Sequence, residues 1–535
     1  MILEADMALN GEVKVPVPEH GAVKRRMGDK IYLYYATAVY RNEKGQPTCD
    51  RVSIGRYDEA TGMLIPNRNY YEIYLKQPQP MQGAIRDHGV YYAFSEIIKK
   101  YGIEKDLKKY FPEQYKQILT VAQYMISEGN VIYYIDEYTE THRTALNGVL
   151  SDAECSRLFS GMREEDMLLF LREWMKRMKQ NEYIAYDVTS ISTYGKNIPD
   201  AEWGYNRDKE KLPQINLGMY YGEESRLPLY YRVYPGSIND KTHLAYMTED
   251  NKIINGEKIR YVMDRGFYSA ENLRLLVEKG HRFVIALPGS LKYCHELIGK
   301  HRAELVNVSK NRIGNKHLYG MKAECTELGF RMNVHIIYDP EKAFHESEAL
   351  YELLDRQEND LAHMEEPPDR KLHYDKYFFI NRSKDGKLGY TRNNQAIDEE
   401  LGRCGFFLIA ETDFKKTTAE ILDIYRRRDM VEKNFDNLKN GLDFKRVRTH
   451  NPEVLHGKIF VSFLALIVRS YMVNRLSDVD LPMKKVLLEL DKLKTIDIGT
   501  AVKPRLINPP TKTIRDILDK LDIPCDFVCD NSVGI

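Results

Sequence analysis

Four residues at fixed spacing, Tyr425, Arg428, Glu432 and Lys439, stand in the basic run IYRRRDMVEKNFDNLKN, residues 424–440. At 100° per residue, separations of 3, 4 and 7 place them within an arc of about 60° on one side of a helix. Ile424, Val431, Phe435, Leu438 and Leu442 form an apolar stripe beside them, so the polar four border a buried face. Two aspartates precede this run in strand-like settings. Asp187 lies within YIAYDVTSIS, and Asp264 ends YVMD where the pattern gives way to RGFYS. An acid at a strand's carboxyl end in an α/β sheet lies where ligands usually bind. Three carboxylates gathered in one place repel each other unless a cation stands among them. Oxygen-only ligands suit Mg²⁺ or Mn²⁺, not zinc. Two such ions, about 3.5–4 Å apart, activate water or a 3′-hydroxyl and stabilise the departing oxygen of a phosphodiester. Plainer readings stand beside this one. The helix is also what a solvated, i,i+4-paired surface helix looks like, and Asp264 also suits a helix N-cap or a turn.

The elements that must position these residues follow from the hydrophobic pattern. IYLYYATAVY (31–40) and RVSIGRY (51–57) are aromatic and β-branched, with turn-rich NEKGQPTCD between them. The turn DEATGMLIPN then leads to NYYEIY. Together they predict a small antiparallel sheet, preceded by the basic Lys24, Arg25 and Arg26. From about 90 to 180 apolar residues recur at helical spacing. NEYIAYDVTSIST, INLGMYY and PLYYRVY then read as strands and KTHLAYMTED as a short helix. IRYVMD is a strand, SAENLRLLVEKG a helix ending at Gly280, and HRFVIALPG another strand. That order, β-β-β-α-β-α-β, predicts a mixed α/β core. About a hundred residues interrupt it, with strand-like FRMNVHIIY and DKYFFINRS and an acidic helix near 342–365, before GFFLIAETD resumes it. IFVSFLALIVRSYMVNRL is strongly apolar but broken by Arg and Asn, and it is read as a core helix.

Composition bounds the function. The 535 residues are 43% hydrophobic and 30% charged, with 79 basic and 79 acidic side chains, so affinity for nucleic acid must come from local patches. Between 425 and 448 eight Lys/Arg face four acids, a local net of +4 that suits phosphate contact. Arg446 and Arg448, in FKRVRTH, serve such contact or simply dress the surface. The seven scattered cysteines fit a reducing cytosol, and Cys525 and Cys529 lack the second Cys/His pair of a zinc site. MILEADMALNGEVKVPVPEH has no signal-peptide core and no stretch reaches 18 apolar residues, so no membrane partner is expected. No glycine-rich phosphate loop adjoins a strand–helix junction, so no nucleotide cofactor is expected.

YDVTS, VMDRGFYSAENL and the Tyr425/Arg428/Glu432/Lys439 spacing together resemble the DDE transposases of bacterial insertion sequences, in the subgroup with the Tyr-Arg-Glu-Lys signature (insertion-sequence-four type). The resemblance covers roughly 180–475. It implies an α/β fold with a ribonuclease-H-like catalytic core interrupted by a β-rich insertion. It implies Asp187, Asp264 and Glu432 as a catalytic, metal-binding triad for Mg²⁺ (or Mn²⁺), with Tyr425, Arg428 and Lys439 holding the DNA end at phosphates. The partners are then double-stranded DNA (terminal inverted repeats and target) and a second copy of the chain in a homodimer, in the nucleoid of a bacterial cytosol. Relatives carry, in the insertion, a tryptophan that stacks on a flipped base, whereas Trp174 and Trp203 both lie outside it. The expected divisions are a small β-rich N-terminal domain (1–85), a helical domain (86–180), the first part of the core (181–289), the insertion (290–404), the second part of the core with the catalytic helix (405–450) and a helical C-terminal region (451–535). Lys24, Arg25 and Arg26 would grip the terminal repeat if the first of these domains reads DNA; otherwise it is a scaffold. A ribonuclease-H-fold nuclease that only hydrolyses nucleic acid is the alternative enzyme, and a domesticated DNA-binding protein the non-enzymatic alternative.

Overall fold

A computed structural model describes residues 13–525 apart from 42–43, 68, 77–84, 179–181, 239–241, 243, 245, 247–257, 307–308, 315–316, 367, 370–372, 383–387 and 497–504. Most of the KTHLAYMTED helix, the first twelve residues and Cys529 therefore lie outside the described residues. Two compact units emerge. One holds Met1–Gly89, Glu489–Arg515 and Cys525–Ile535, and the other Val90–Leu488 and Asp516–Pro524.

In the first unit β1 (Ala22–Met27), β2 (Lys30–Arg41), β3 (Pro47–Asp58) and β4 (Met63–Pro66) pair antiparallel in sequence order around Leu33, Ile54, Leu64 and Tyr70. The last strand is MLIP, inside the stretch expected to be a turn. NYYEIY instead winds into a π-helix over Tyr70–Tyr74. Asn67 explains the switch. Its amide donates to the Ser53 carbonyl at 2.9 Å while its side-chain oxygen accepts from the Tyr70 N–H at 3.3 Å, which starts a turn where a strand would have run on. A short β5 (Ile85–Asp87) follows.

The second unit begins with six helices: α1 (Gly89–Lys100), α2 (Ile103–Tyr110), α3 (Tyr115–Glu128), α4 (Ile135–Thr141), α5 (Asp152–Ser160) and α6 (Glu164–Arg177). Its sheet comprises β6 (Tyr183–Ser192), β7 (Gln214–Gly222), β8 (Pro228–Pro235), β9 (Arg260–Met263), β10 (Arg282–Ala286), β11 (Tyr319–Cys325), β12 (Met332–Tyr338) and β15 (Phe406–Glu411). The order across it is β11-β12-β15-β10-β9-β6-β7-β8, with β6/β9 and β9/β10 parallel and the other pairs antiparallel. Between β9 and β10 lies α7 (Ala270–Glu278), capped by the Ser269 hydroxyl.

The insertion departs from the expected β-rich body. Its three helices, α8 (Lys292–Leu305), α9 (Pro340–His363) and α10 (Asn394–Leu401), span 14, 24 and 8 residues and outweigh four strands of five to seven. Two of those strands, β11 and β12, extend the main sheet, with the run MNVHII, apolar except for Asn333 and His335, buried beside β15. The other two, β13 (Phe378–Arg382) and β14 (Leu388–Arg392), form a hairpin that shares a satellite core with α9 and α10 through Leu350, Leu354, Phe378 and Ile397.

After β15 come α11 (Thr418–Arg427) and α12 (Asp429–Asp436), a π-wound turn at Asn437–Gly441, and α13 (Pro452–Arg475). Among the described residues α13 is the one helix long and apolar enough to cross a membrane, yet 83% of its most apolar window is buried inside the protein. It packs on α3 and α5, where Gly457 lets the Phe159 backbone come so close that a Cβ would stand 2.3 Å from the Phe159 carbonyl oxygen. The C-terminal region is not all helical. Beyond α14 (Met483–Leu490), β16 (Lys494–Ile496) joins β17 (Arg505–Leu506) and β5 in a three-stranded sheet, and α15 (Lys512–Lys520) follows.

Candidate active site

Strand register brings the first two carboxylates to one cleft. β6 and β9 run parallel with Tyr183 opposite Arg260, Ile184 opposite Tyr261 and Ala185 opposite Val262. Asp187 and Asp264 each lie two residues beyond the last of these pairs, and both line one cleft. Asp264 follows the last residue of β9 and caps the next turn, accepting the Arg265 N–H at 2.7 Å. Asp187 accepts the Val188 N–H at 2.8 Å. Asp264 is thus a turn cap that also lines the cleft.

The opposite wall comes from α11, α12 and the π turn. A capping box between Thr417 and Glu420 starts α11, and the stripe Ile424, Val431, Phe435, Leu438 and Leu442 is buried throughout. The expected single helix is broken at Arg428 and rewound at 437–441. Such π segments often mark functional positions. Asp187, Asp264, Arg428, Glu432 and Lys439 line one open cleft of about 430 Å³.

Tyr425 donates its phenol to Asp264 at 3.2 Å. Burial, with the Asp264 charge adding to it and Arg428 opposing, pushes the Tyr425 pKa up to about 12, so the phenol remains a donor at neutral pH. Burial works against the charge on Arg428, but the fields of Tyr425, Asp264, Asp187 and Glu432 outweigh it and raise its pKa. Arg428 reaches Glu432 at 3.3 Å, while its own buried Nε has no hydrogen-bond partner among the described residues. Lys439 is nearly enclosed and pairs with Asp208 at 2.5 Å. Burial lowers its pKa and Asp208 holds it up.

The cleft's acidic lining, Asp187, Asp208, Asp264, Glu432 and Asp436 with no sulfur or imidazole beside them, fits a hard divalent cation by donor type. The side chains share the cleft without converging. Among the described residues no three acidic, histidine or cysteine groups stand close enough together to hold one ion. Glu432, with 62% of its side chain exposed, is drawn instead to Arg428. Mutual repulsion accounts for this, since each carboxylate has taken an N–H, O–H or cationic partner.

The remaining basic residues lie elsewhere. Arg446 pairs with Glu210 at 2.8 Å and covers the Tyr194 ring, while Arg448 pairs with Asp443 at 2.8 Å. Both border a second cleft with Thr449 and His450. Lys24, Arg25 and Arg26 lie exposed on β1 of the other unit, Lys24 seated 3.4 Å over the Tyr57 ring and Arg26 3.1 Å from Glu59. Sequence reasoning missed Arg207 and Asp208, which also line the carboxylate cleft, and had Lys445, a third lining residue, only as one of the basic residues between 425 and 448. NRDKEK looks like any polar loop, and only folding brings Asp208 to a lysine 231 positions away.

The family profile described as Transposase DDE domain matches residues 179–468, just over half of the chain. A solved structure, the cryo-EM piggyBac transposase synaptic complex with hairpin DNA, aligns at 14% identity over 85% of this chain and 80% of that one. Its TM-score of 0.34 is too low to carry a shared fold. No curated protein matches the sequence.

Proposed function

The chain belongs to the transposase DDE domain family, and on that premise we propose that it is a cut-and-paste transposase of the Tyr-Arg-Glu-Lys subgroup of bacterial insertion sequences. It binds the terminal inverted repeats of its own element, cleaves the DNA ends and joins them to target DNA. The observation that carries this is one cleft lined by Asp187 from within β6, by Asp264 just past the end of its parallel neighbour β9, and by Glu432, Arg428 and Lys439. The strand order β8-β7-β6-β9-β10, three antiparallel strands and then two parallel ones, supports a ribonuclease-H-like reading of the core.

Asp187, Asp264 and Glu432 are the residues that would hold Mg²⁺ or Mn²⁺, which supplies an activated water or 3′-hydroxyl and a stabilised leaving oxygen. Tyr425 fixes the Asp264 carboxylate through its phenol. Arg428, with its unpaired Nε, and Lys439 take phosphate oxygens of the DNA end. Pairing two ends on one target requires two such clefts, so the working form is a homodimer.

The test is a labelled duplex carrying the DNA that flanks the open reading frame, incubated with Mg²⁺ and a supercoiled plasmid. Cleavage at the element boundary and joining to plasmid are expected, and Asp187→Asn or Asp264→Asn should reduce both to background while leaving end binding largely intact. Cleavage without joining would make the chain a nuclease. Binding without cleavage would make it a DNA-binding protein only.

A further inference from the structure

We propose that His335, on strand β12 of the insertion, is a positioning residue for the carboxylate cleft: through the Thr418 hydroxyl it fixes where α11 lies, and so where Tyr425 and Arg428 meet Asp264 and Glu432. The proposal rests on the DNA-cleavage reading above and gives the insertion a part in it.

Burial and bonding together carry it. β12 and β15 pair antiparallel with His335 opposite Ile409 and Asn333 opposite Glu411, so these side chains share one face of the sheet. His335 and Glu411 are fully buried there. Polar groups in such a place cost stability unless they are hydrogen-bonded. Glu411 is satisfied without the imidazole: it accepts the Asn333 amide at 2.6 Å, the Phe414 N–H at 2.8 Å and the Asp413 N–H. The His335 Nε2 stands 3.5 Å from that carboxylate and has no hydrogen-bond partner among the described residues. The bond the ring does make is through Nδ1, with the Thr418 hydroxyl at 3.0 Å.

Thr418 is the first residue of α11, which packs on β9, β10 and β11. Tyr425 stands seven residues on, about 10.5 Å along the axis and within about 20° of the same face. That face is therefore tied at both ends, to β12 through Thr418 and to Asp264 through the Tyr425 phenol. Ile421 and Leu422 are buried between the two ties. A shift at Thr418 passes along the helix to Tyr425 and to Arg428, where the helix ends. The contact is not needed to start α11, since Thr417 and Glu420 already form its capping box. What it adds is a fixed seat. β11 shapes the same seat: a Cβ on Gly320 would stand 2.8 Å from the Thr418 methyl carbon, and Lys322 donates to the Lys416 carbonyl at 3.4 Å. Reacting groups must be held to about 0.5 Å, a tolerance that a loose helix end exceeds.

The test separates the two ring nitrogens in the full chain. An Asn amide at position 335 reaches about as far as Nδ1 and a Gln amide about as far as Nε2, and both leave a cavity where the ring packed. His335→Gln should therefore cleave the flanking-DNA duplex roughly ten- to a hundredfold more slowly at saturating DNA, with the half-saturating DNA concentration unchanged. His335→Asn should restore most of the rate at a similar stability to urea. Thr418→Val, which keeps the ring and the side-chain shape, should match His335→Gln, and the double variant should be no slower than either. Without DNA, amide exchange at 421–427 should quicken in Thr418→Val while β12 and β15 keep their protection. Equal rates for the Asn and Gln variants, the reverse order, additive effects or unchanged exchange at 421–427 would each overturn the proposal and leave the transposase reading standing. If the wild type does not cleave the duplex, that reading falls, and the exchange comparison alone decides whether His335 seats α11.

Discussion

The Lys439 ammonium lies 2.5 Å from the Asp208 carboxylate, bridging the π-wound turn after α12 and the loop after β6. If Lys439 is to hold a phosphate, it must first give up this partner. Asp208→Asn should therefore move two quantities in opposite directions. It should cost about 2 kcal/mol of stability, because a nearly enclosed ammonium loses its counter-charge. It should also tighten binding of the element end several-fold by removing the competitor. Urea denaturation and salt-controlled binding measure the two. Weaker DNA binding by this variant would show that Asp208 supports the DNA site and does not compete for it.

Glu432 and Lys439 share a wall of the cleft but should fail in different ways. Glu432→Gln keeps the side-chain shape and removes the charge a divalent cation needs, so cleavage should be lost at any DNA concentration. Lys439→Ala removes a phosphate contact, so excess DNA or lower salt should restore part of its activity. Arg428→Lys should also be costly, because a point charge cannot reproduce a guanidinium fork. Cleavage assays that titrate DNA and salt for each variant decide it. Rescue of Glu432→Gln by DNA, without rescue of Lys439→Ala, would reverse the roles.

The candidate site was partly legible because its marks are local. An aspartate in a β-branched strand, an aspartate at a strand's end and four polar residues at helical spacing can be read from a string of letters. What the string hid depends on distant pairing. The cleft that Asp187 and Asp264 share exists only once β6 and β9 lie parallel. Asp208 and Arg207 carry no local signature, and Lys445 shows only as one charge in the basic run at 425–448. The break at Arg428 and the π turn at 437–441 leave the apolar stripe buried, so periodicity gave no warning of them. Short strands failed for a related reason. MLIP and KTI are strands because neighbours pair with them, and nothing in three or four residues announces that.

Lys24, Arg25 and Arg26 test whether the N-terminal sheet touches DNA. All three point from an exposed strand, though Lys24 rests on Tyr57 and Arg26 on Glu59. If they contact phosphates, the triple alanine variant of the full chain should flatten the log–log salt dependence of end binding by about two to three units. An unchanged slope would leave this sheet a scaffold.

Lys458, on α13, gives a prediction independent of DNA. Its side chain is almost wholly enclosed, with Nζ 3.5 Å from the Arg448 carbonyl. Burial, with the Arg448 charge adding to it and Asp443 and Cys155 opposing, brings its pKa down to about 8. In the unfolded chain it titrates near its ordinary value of about 10.4. Below about pH 8 both states are protonated, and the folded protein bears the full cost of a buried charge. Between about 8 and 10.4 the unfolded state binds more protons, so stability rises with pH across that window. Lys458→Met keeps the volume and removes the charge. At about pH 7 it should be more stable than wild type by roughly 3 kcal/mol, with the difference shrinking toward zero near pH 10.4. Urea unfolding of the two proteins across this range measures it, and a difference that does not change with pH would place the ammonium in contact with water.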